Sequence, residues 1–147
     1  MSNELAIFVA WNTYEKDLSL LGNDVRSFYS KFGYEFPKNP SLKEAESALT
    51  SVVHLREELE ELEQALRLGD IVEAADGVTD VLYLIVGVAA KLGLPLGALF
   101  YEVQRSNMEK VYIKGAKPHA LDIVKPQGWK PPQVREVLRT FGLGFDK

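Results

Sequence analysis

The stretch from Val78 to Ala90 is apolar almost all the way round when counted at about 100° per residue, and no other feature restricts the fold as much. It shows no period-two alternation, and Asp70 before it and Gly93 after it read as helix start and stop signals. A helix without a polar face has to be enclosed by others. The expectation is therefore an all-α antiparallel bundle with this segment inside it.

The rest of the chain divides at its glycines and prolines. One long helix is expected from Leu42 or Lys43 to Leu68, ended by Gly69. A second follows Asp70 as N-cap and ends near Gly93. A third has Pro95 in its first turn and continues to about Tyr112. A shorter helix, Asp24 to Phe32, carries Val25, Phe28, Tyr29 and Phe32 at helical spacing and stops at Gly33. Pro132 opens a last one, Gln133 to Phe141, stopped by Gly142. Tyr34 to Ser41 reads as a loop, Ile113 to Pro132 as an irregular tail, and residues 1–20 as an extension of unassigned type. Four to five helices in 147 residues make one domain with a core that needs no staples.

Composition narrows the functional classes. With no cysteine, thiolate zinc sites and cysteine nucleophiles are excluded, and a reducing, cytoplasmic setting is expected. A net charge of −4 argues against a nucleic-acid backbone as partner. The longest apolar run, Leu5 to Trp11, falls far short of the ~20 residues of a membrane span, and Glu4 stands where a signal peptide is basic.

Helical phase decides which acids matter. Leu55, Leu59, Leu62 and Leu66 form a stripe expected to face the core. Glu58, Glu61 and His54 sit together on one flank of it, Glu57 and Glu60 point further out, and Glu63 takes the opposite flank. On the next helix Asp76 and Asp80, four apart, share a face that Tyr83, Leu84 and Gly87 continue. Carboxylates on a buried helix need cations, and Lys91 is the only one between Gly69 and Leu99. Glu58, Glu61, Asp76 and Asp80 would thus meet as four hard oxygen donors, which select Mg²⁺, or Mn²⁺, over zinc. Glu73 shares the face, but as the third residue after Asp70 it reads better as part of a capping box. A di-iron bundle would need paired Glu-x-x-His motifs; His54 precedes Glu57 in the reverse order and His119 lies in the tail.

The third helix has Leu96, Leu99, Phe100, Val103 and Val111 as its expected inward stripe. Asn107 and Lys110 fall on that stripe, where an anionic, hydrogen-bonding ligand would satisfy them. Arg105 falls on the outer side. In the tail, Lys125 to Lys130 (KPQGWK) combines two cations with an indole, able to close over a triphosphate, with Trp129 either stacking on a base or packing on the bundle.

Together these residues resemble the MazG-type, all-α nucleotide pyrophosphatase superfamily. Glu57-Glu58-Leu59-Glu60-Glu61 matches its EExxE element, and Asp80, within Asp76 to Gly87 (DGVTDVLYLIVG), matches the aspartate closing its second acidic element. Glu102 to Val111 (EVQRSNMEKV), Lys125 to Pro132 (KPQGWKPP) and Phe28 to Gly33 (FYSKFG) are similar to the branch related to phosphoribosyl-ATP pyrophosphohydrolase, which includes MazG-like dUTP pyrophosphatases. The resemblance spans about residues 24 to 140. It departs in one place: the usual second element is ExxD, and Gly77 stands three before Asp80. Glu73-Ala74-Ala75-Asp76 also spells ExxD, so the fourth ligand is open between Asp76, which phase supports, and Glu73.

The resemblance implies hydrolysis of a nucleoside triphosphate, with dUTP or a non-standard nucleotide among the candidates, to monophosphate and pyrophosphate. Mg²⁺ on Glu58, Glu61, Asp76 and Asp80 would offset phosphate charge, with Glu57 orienting or deprotonating the water. Lys110, Lys125 and Lys130 would stabilise the polyphosphate, Asn107 would hydrogen-bond sugar or phosphate, and Tyr83 and Trp129 would line the nucleotide site. Members of this superfamily form dimers or dimers of dimers with sites at the subunit interface. Two other readings stand beside this one: a phosphoribosyl-ATP-type pyrophosphohydrolase, and a non-catalytic helical oligomer with a structural divalent-metal site.

Overall fold

The computed structural model describes residues 3–115 and 122–143, the side chains of residues 17–19 excepted. His119, and with it residues 116–121 of the expected tail, lies outside the described residues. Five helices are found among those described: α1 (Asn3–Ser30), α2 (Ala45–Leu68), α3 (Ile71–Lys91), α4 (Leu96–Met108) and α5 (Val134–Thr140). Two-residue strands β1 (Val111–Tyr112) and β2 (Ile123–Val124) pair antiparallel, Val111 opposite Val124. The fold is all-α, as the periodicity requires. No single helix among the described residues is long and apolar enough to cross a membrane.

The α2–α3 hairpin follows from local chemistry. Gly69 takes φ 71°, a left-handed conformation that costs other residues dearly, and closes α2. The Asp70 carboxylate then accepts the N–H groups of Val72 and Glu73 at 3.0 and 3.1 Å, starting α3 within two residues. The reciprocal half of a capping box is missing, because the Asp70 N–H already donates to the Ala65 carbonyl at 3.0 Å. Glu73 is exposed. At the far end of the hairpin, Lys91 is buried and donates to the Ser51 hydroxyl at 2.7 Å and the Ser47 carbonyl at 3.2 Å. Its ammonium also lies 4.6 Å from the Tyr29 ring centroid.

The second arm is built by α1 and α4. Contrary to the expected extension plus short helix, α1 runs unbroken through Gly22. Its first half packs along α4 and its second half against α3. Glu15 accepts the Gly97 N–H at 2.8 Å and so caps the start of α4 from another helix. Beside it Glu102 is wholly buried, yet fully partnered: it accepts from Trp11 Nε1 at 2.9 Å, from the Gln133 N–H at 2.9 Å and from Arg105 Nη2 at 3.1 Å. Burial pushes its carboxyl up, but the bonds from Arg105, Gln133 and Trp11 outweigh that and hold it below the ordinary glutamate value. Trp11, Ala98 and Val137 form the small core that surrounds this group.

Several expectations are corrected. Helix α4 ends at Met108, not near Tyr112, because Val111 and Tyr112 pair with a strand inside the supposedly irregular tail. Its inward face is Ala98, Glu102 and Ser106, while Phe100, Val103 and Val111 are exposed. Arg105, assigned to the outer side, is only 17% exposed because it pairs with Glu102. Helix α3 is not enclosed: Val78, Leu82 and Ile85 face outward, as do Leu59 and Leu66 of α2. Two neighbours cannot cover a helix on every side, and α3 and α4 meet at 114° instead of packing antiparallel.

Removing Glu102 leaves the Trp11 and Gln133 N–H groups without their acceptor and Arg105 with only Glu109 and the Pro131 carbonyl, so Glu102→Ala should lower unfolding free energy by about 3 kcal/mol. Urea titration followed by circular dichroism measures this. A depressed carboxylate contributes stability above its unfolded pKa and loses it as pH falls through the folded value. The wild type should accordingly lose stability more steeply on acidification than Glu102→Gln.

Candidate active site

The close approach of α2 and α3 brings the acids together. A Cβ built on Gly77 would lie 3.1 Å from the Leu62 Cβ, so the helices nearly touch there. One turn beyond that contact, Glu58 on α2 meets Asp80 on α3. Partial burial first, then the charges of Asp80, Glu61, Asp76 and Glu57, push the Glu58 carboxyl above its ordinary value. Among the described residues, no cation appears with the groups acting on it. Lys91 is held at the opposite end of the hairpin, and Arg67 hydrogen-bonds Glu63 at 3.0 Å on the outer flank.

This arrangement bears on the departure at residue 77. Gly77 is buried against Leu62, on the side of α3 that faces α2. A side chain there would start inside the helix contact. Asp76 acts on Glu58, whereas Glu73 is not among the charges that do. Glu58 thus stands in the field of Asp80, Glu61, Asp76 and Glu57. Among the described residues, no three His, Asp or Glu side chains converge closely enough to enclose an ion in the single chain. The donor set, oxygen only and short of counter-charge, still has the chemistry of a hard divalent site.

The proposed substrate residues divide between two places. Tyr83 lies beside the acids, one turn from Asp80, and packs edge-on against Phe28 with ring centroids 6.0 Å apart. Burial, then Tyr29 and Asp24, push its hydroxyl above the ordinary tyrosine value, so it stays protonated. The other residues sit on the second arm. Asn107 is exposed and Lys110 half-buried, and the Lys110 ammonium donates to Asn107 Oδ1 at 2.7 Å. They satisfy each other, so the expectation of a buried amide and ammonium awaiting a ligand does not hold in this chain. Trp129 is an anchor: its indole N–H donates to the Ser106 carbonyl at 2.7 Å, and Lys125 lies 4.2 Å from its ring centroid. Lys130 is exposed at a cleft beside Arg105, Glu109 and Gln133. No hydrogen bond or ion pair among the described residues joins these groups to the acidic cluster.

Sequence reasoning missed two groups. Asp24 of α1 faces Tyr83 across the α1–α3 contact, and Arg105 reaches the buried Glu102. The Glu102–Arg105 acid–base spacing of three residues is the one sequence signal for the second; the pairing of Asp24 with Tyr83 across two helices leaves none.

The sequence model of the family described as phosphoribosyl-ATP pyrophosphohydrolase matches residues 25–107, more than half of the chain and all of α2, α3 and nearly all of α4. No curated protein matches the chain.

A carboxyl raised by burial and by neighbouring like charges costs stability at neutral pH, and the cost is relieved as pH falls through the folded pKa. Glu58→Gln should therefore melt at a higher temperature than the wild type at pH 7.5 in EDTA, and the difference should shrink toward pH 5. Differential scanning fluorimetry reads both.

Proposed function

This chain belongs to the phosphoribosyl-ATP pyrophosphohydrolase family, in the MazG-like all-α superfamily, and on that premise we propose that it hydrolyses nucleoside triphosphates to monophosphate and pyrophosphate with Mg²⁺. Membership makes it a pyrophosphohydrolase, a hydrolase of phosphoric anhydrides. The observation that carries the finer reading is the crowding of Glu58 by Asp80, Glu61, Asp76 and Glu57 where α2 and α3 approach at Leu62 and Gly77, with no cation among the described residues acting on it. Proteins keep such unfavourable groupings where function needs them.

In this reading Glu58, Glu61, Asp76 and Asp80 hold Mg²⁺, with Mn²⁺ as substitute. The bound ion supplies Lewis acidity toward the phosphate oxygens and acidifies a water. Glu57, exposed at the margin of the group, would orient a water for attack and accept its proton. Tyr83 walls the nucleotide side. Lys110, Lys125 and Lys130 lie on the other arm of the same chain, so their proposed role on the polyphosphate is assigned to a second copy. The proposal thus includes a homodimer or dimer of dimers, formed through outward apolar residues such as Leu59, Val78 and Ile85. A phosphoribosyl-ATP-type substrate is the second reading, favoured by the description of the matching family itself.

Purified protein incubated with each NTP and dNTP, and with phosphoribosyl-ATP, should give monophosphate and pyrophosphate with Mg²⁺ and none in EDTA, as resolved by chromatography. Glu58→Gln and Asp80→Asn should each lose at least about 100-fold in kcat while melting no lower than the wild type. Either variant retaining near wild-type kcat would remove its residue from the proposed metal set. Release of diphosphate and phosphate would overturn the bond assignment.

A further inference from the structure

Between α1 and α3, lined on α3 by Thr79 and Tyr83 on either side of Asp80 in sequence, lies a slot of about 140 Å³ of which the proposed function uses only Tyr83. Leu21, Asp24 and Val25 line it from α1, and Thr79, Leu82 and Tyr83 from α3. Its walls are apolar and aromatic: Leu21 and Leu82 are more than 40% exposed, and the Tyr83 ring stands upright against Phe28. Such a surface suits the flat faces of a heterocycle. Thr79 and Tyr83 flank Asp80 on the same turn of helix, so a nucleotide whose base fills the slot has its phosphates beside the acids.

The polar groups of the slot are one-sided. Asp24 is exposed, and no hydrogen bond or ion pair among the described residues holds its carboxylate. An ionised carboxylate only accepts. Thr79 has its own proton committed to the Ala75 carbonyl at 2.9 Å, which leaves its oxygen as an acceptor too. Two acceptors complement a base edge that donates. Guanine presents adjacent N1–H and N2 amino donors, and cytosine and adenine present an amino group. Uracil and thymine offer a single N3–H donor set between two carbonyl oxygens, and those oxygens would face the carboxylate.

Resting on the nucleotide reading above, we propose that this slot seats the substrate's nucleobase and that Asp24 selects bases bearing an amino group, guanine first, over uracil and thymine. Of the candidates named from the sequence, dUTP is then a poor substrate.

The test compares kcat/KM for GTP, CTP, ATP and UTP, and their deoxy forms, in wild type and Asp24→Asn. The wild type should favour guanine over uracil by about tenfold or more, a modest ratio because the carboxylate is open to water. Asp24→Asn, whose amide both donates and accepts, should shift that ratio toward uracil by about tenfold, mostly through KM, with an unchanged melting temperature. In EDTA, GMP should perturb the amide resonances of Thr79 and Leu82 more than UMP does, a readout independent of metal and turnover. A wild-type preference for UTP or dUTP, or a ratio unmoved in Asp24→Asn, would overturn the slot assignment while leaving the pyrophosphohydrolase reading intact. Absence of turnover on every nucleoside triphosphate would remove both.

Discussion

The contact of α2 with α3 at Leu62 and Gly77 is the constraint on which the acidic face depends. Five carboxylates on two helices repel one another, and nothing in their own chemistry draws them together. What holds them is the hairpin: a left-handed Gly69, an Asp70 cap that starts α3 at once, and a glycine that lets the helices approach to van der Waals contact. The opposite end is tied by Lys91 on the serines of α2. Apolar contact and capping along the hairpin thus offset a local electrostatic cost, an arrangement suited to a site completed by a cation.

The second arm obeys a different rule. There a buried charge is fully compensated, with Glu102 gathering donors from α1, from its own helix and from the segment before α5. A satisfied network of this kind specifies one arrangement of three chain segments, since a displaced partner would leave the charge bare. It fixes where Trp129 and the C-terminal lysines stand relative to α4. Because α3 and α4 meet at 114°, the acids near the start of α3 and the amide–ammonium pair at the end of α4 lie on separate arms. In the proposed enzyme, bringing them into one site is the work of a second copy.

Helix α1 connects the two arms, and its continuity is what creates the slot beside Asp80. Gly22 tolerates the helix since its small cost, about 1 kcal/mol relative to alanine, is outweighed by packing on both sides. Trp11 and Glu15 hold the first half to α4, while Val25 and Phe28 hold the second to α3. A helix beginning only at Asp24, as the sequence suggests, lacks the Leu21 wall of that slot.

By itself the sequence determined the α2–α3 hairpin, several other helix ends and the acidic groups. Gly69, Asp70, Gly93 and Gly142 act through the backbone of their immediate neighbours, so helix ends near them were legible without any tertiary information. The same is true of Glu58 with Glu61 and Asp76 with Asp80, whose shared faces follow from helical pitch alone. Which face of α4 turns inward was not legible, because hydrophobicity pointed to Phe100 and Val103 while the buried place went to Glu102. A carboxylate is buried when donors arrive from elsewhere in the chain, and residues 11, 105 and 133 become its neighbours only on folding. Likewise the open side of α3, the mutual pairing of Asn107 with Lys110 and the fate of Gly77 were decided by which helices lie against which. Local signals set the pieces through contacts a few residues apart; only the tertiary structure brings distant donors, carboxylates and surfaces within the few ångströms at which they act.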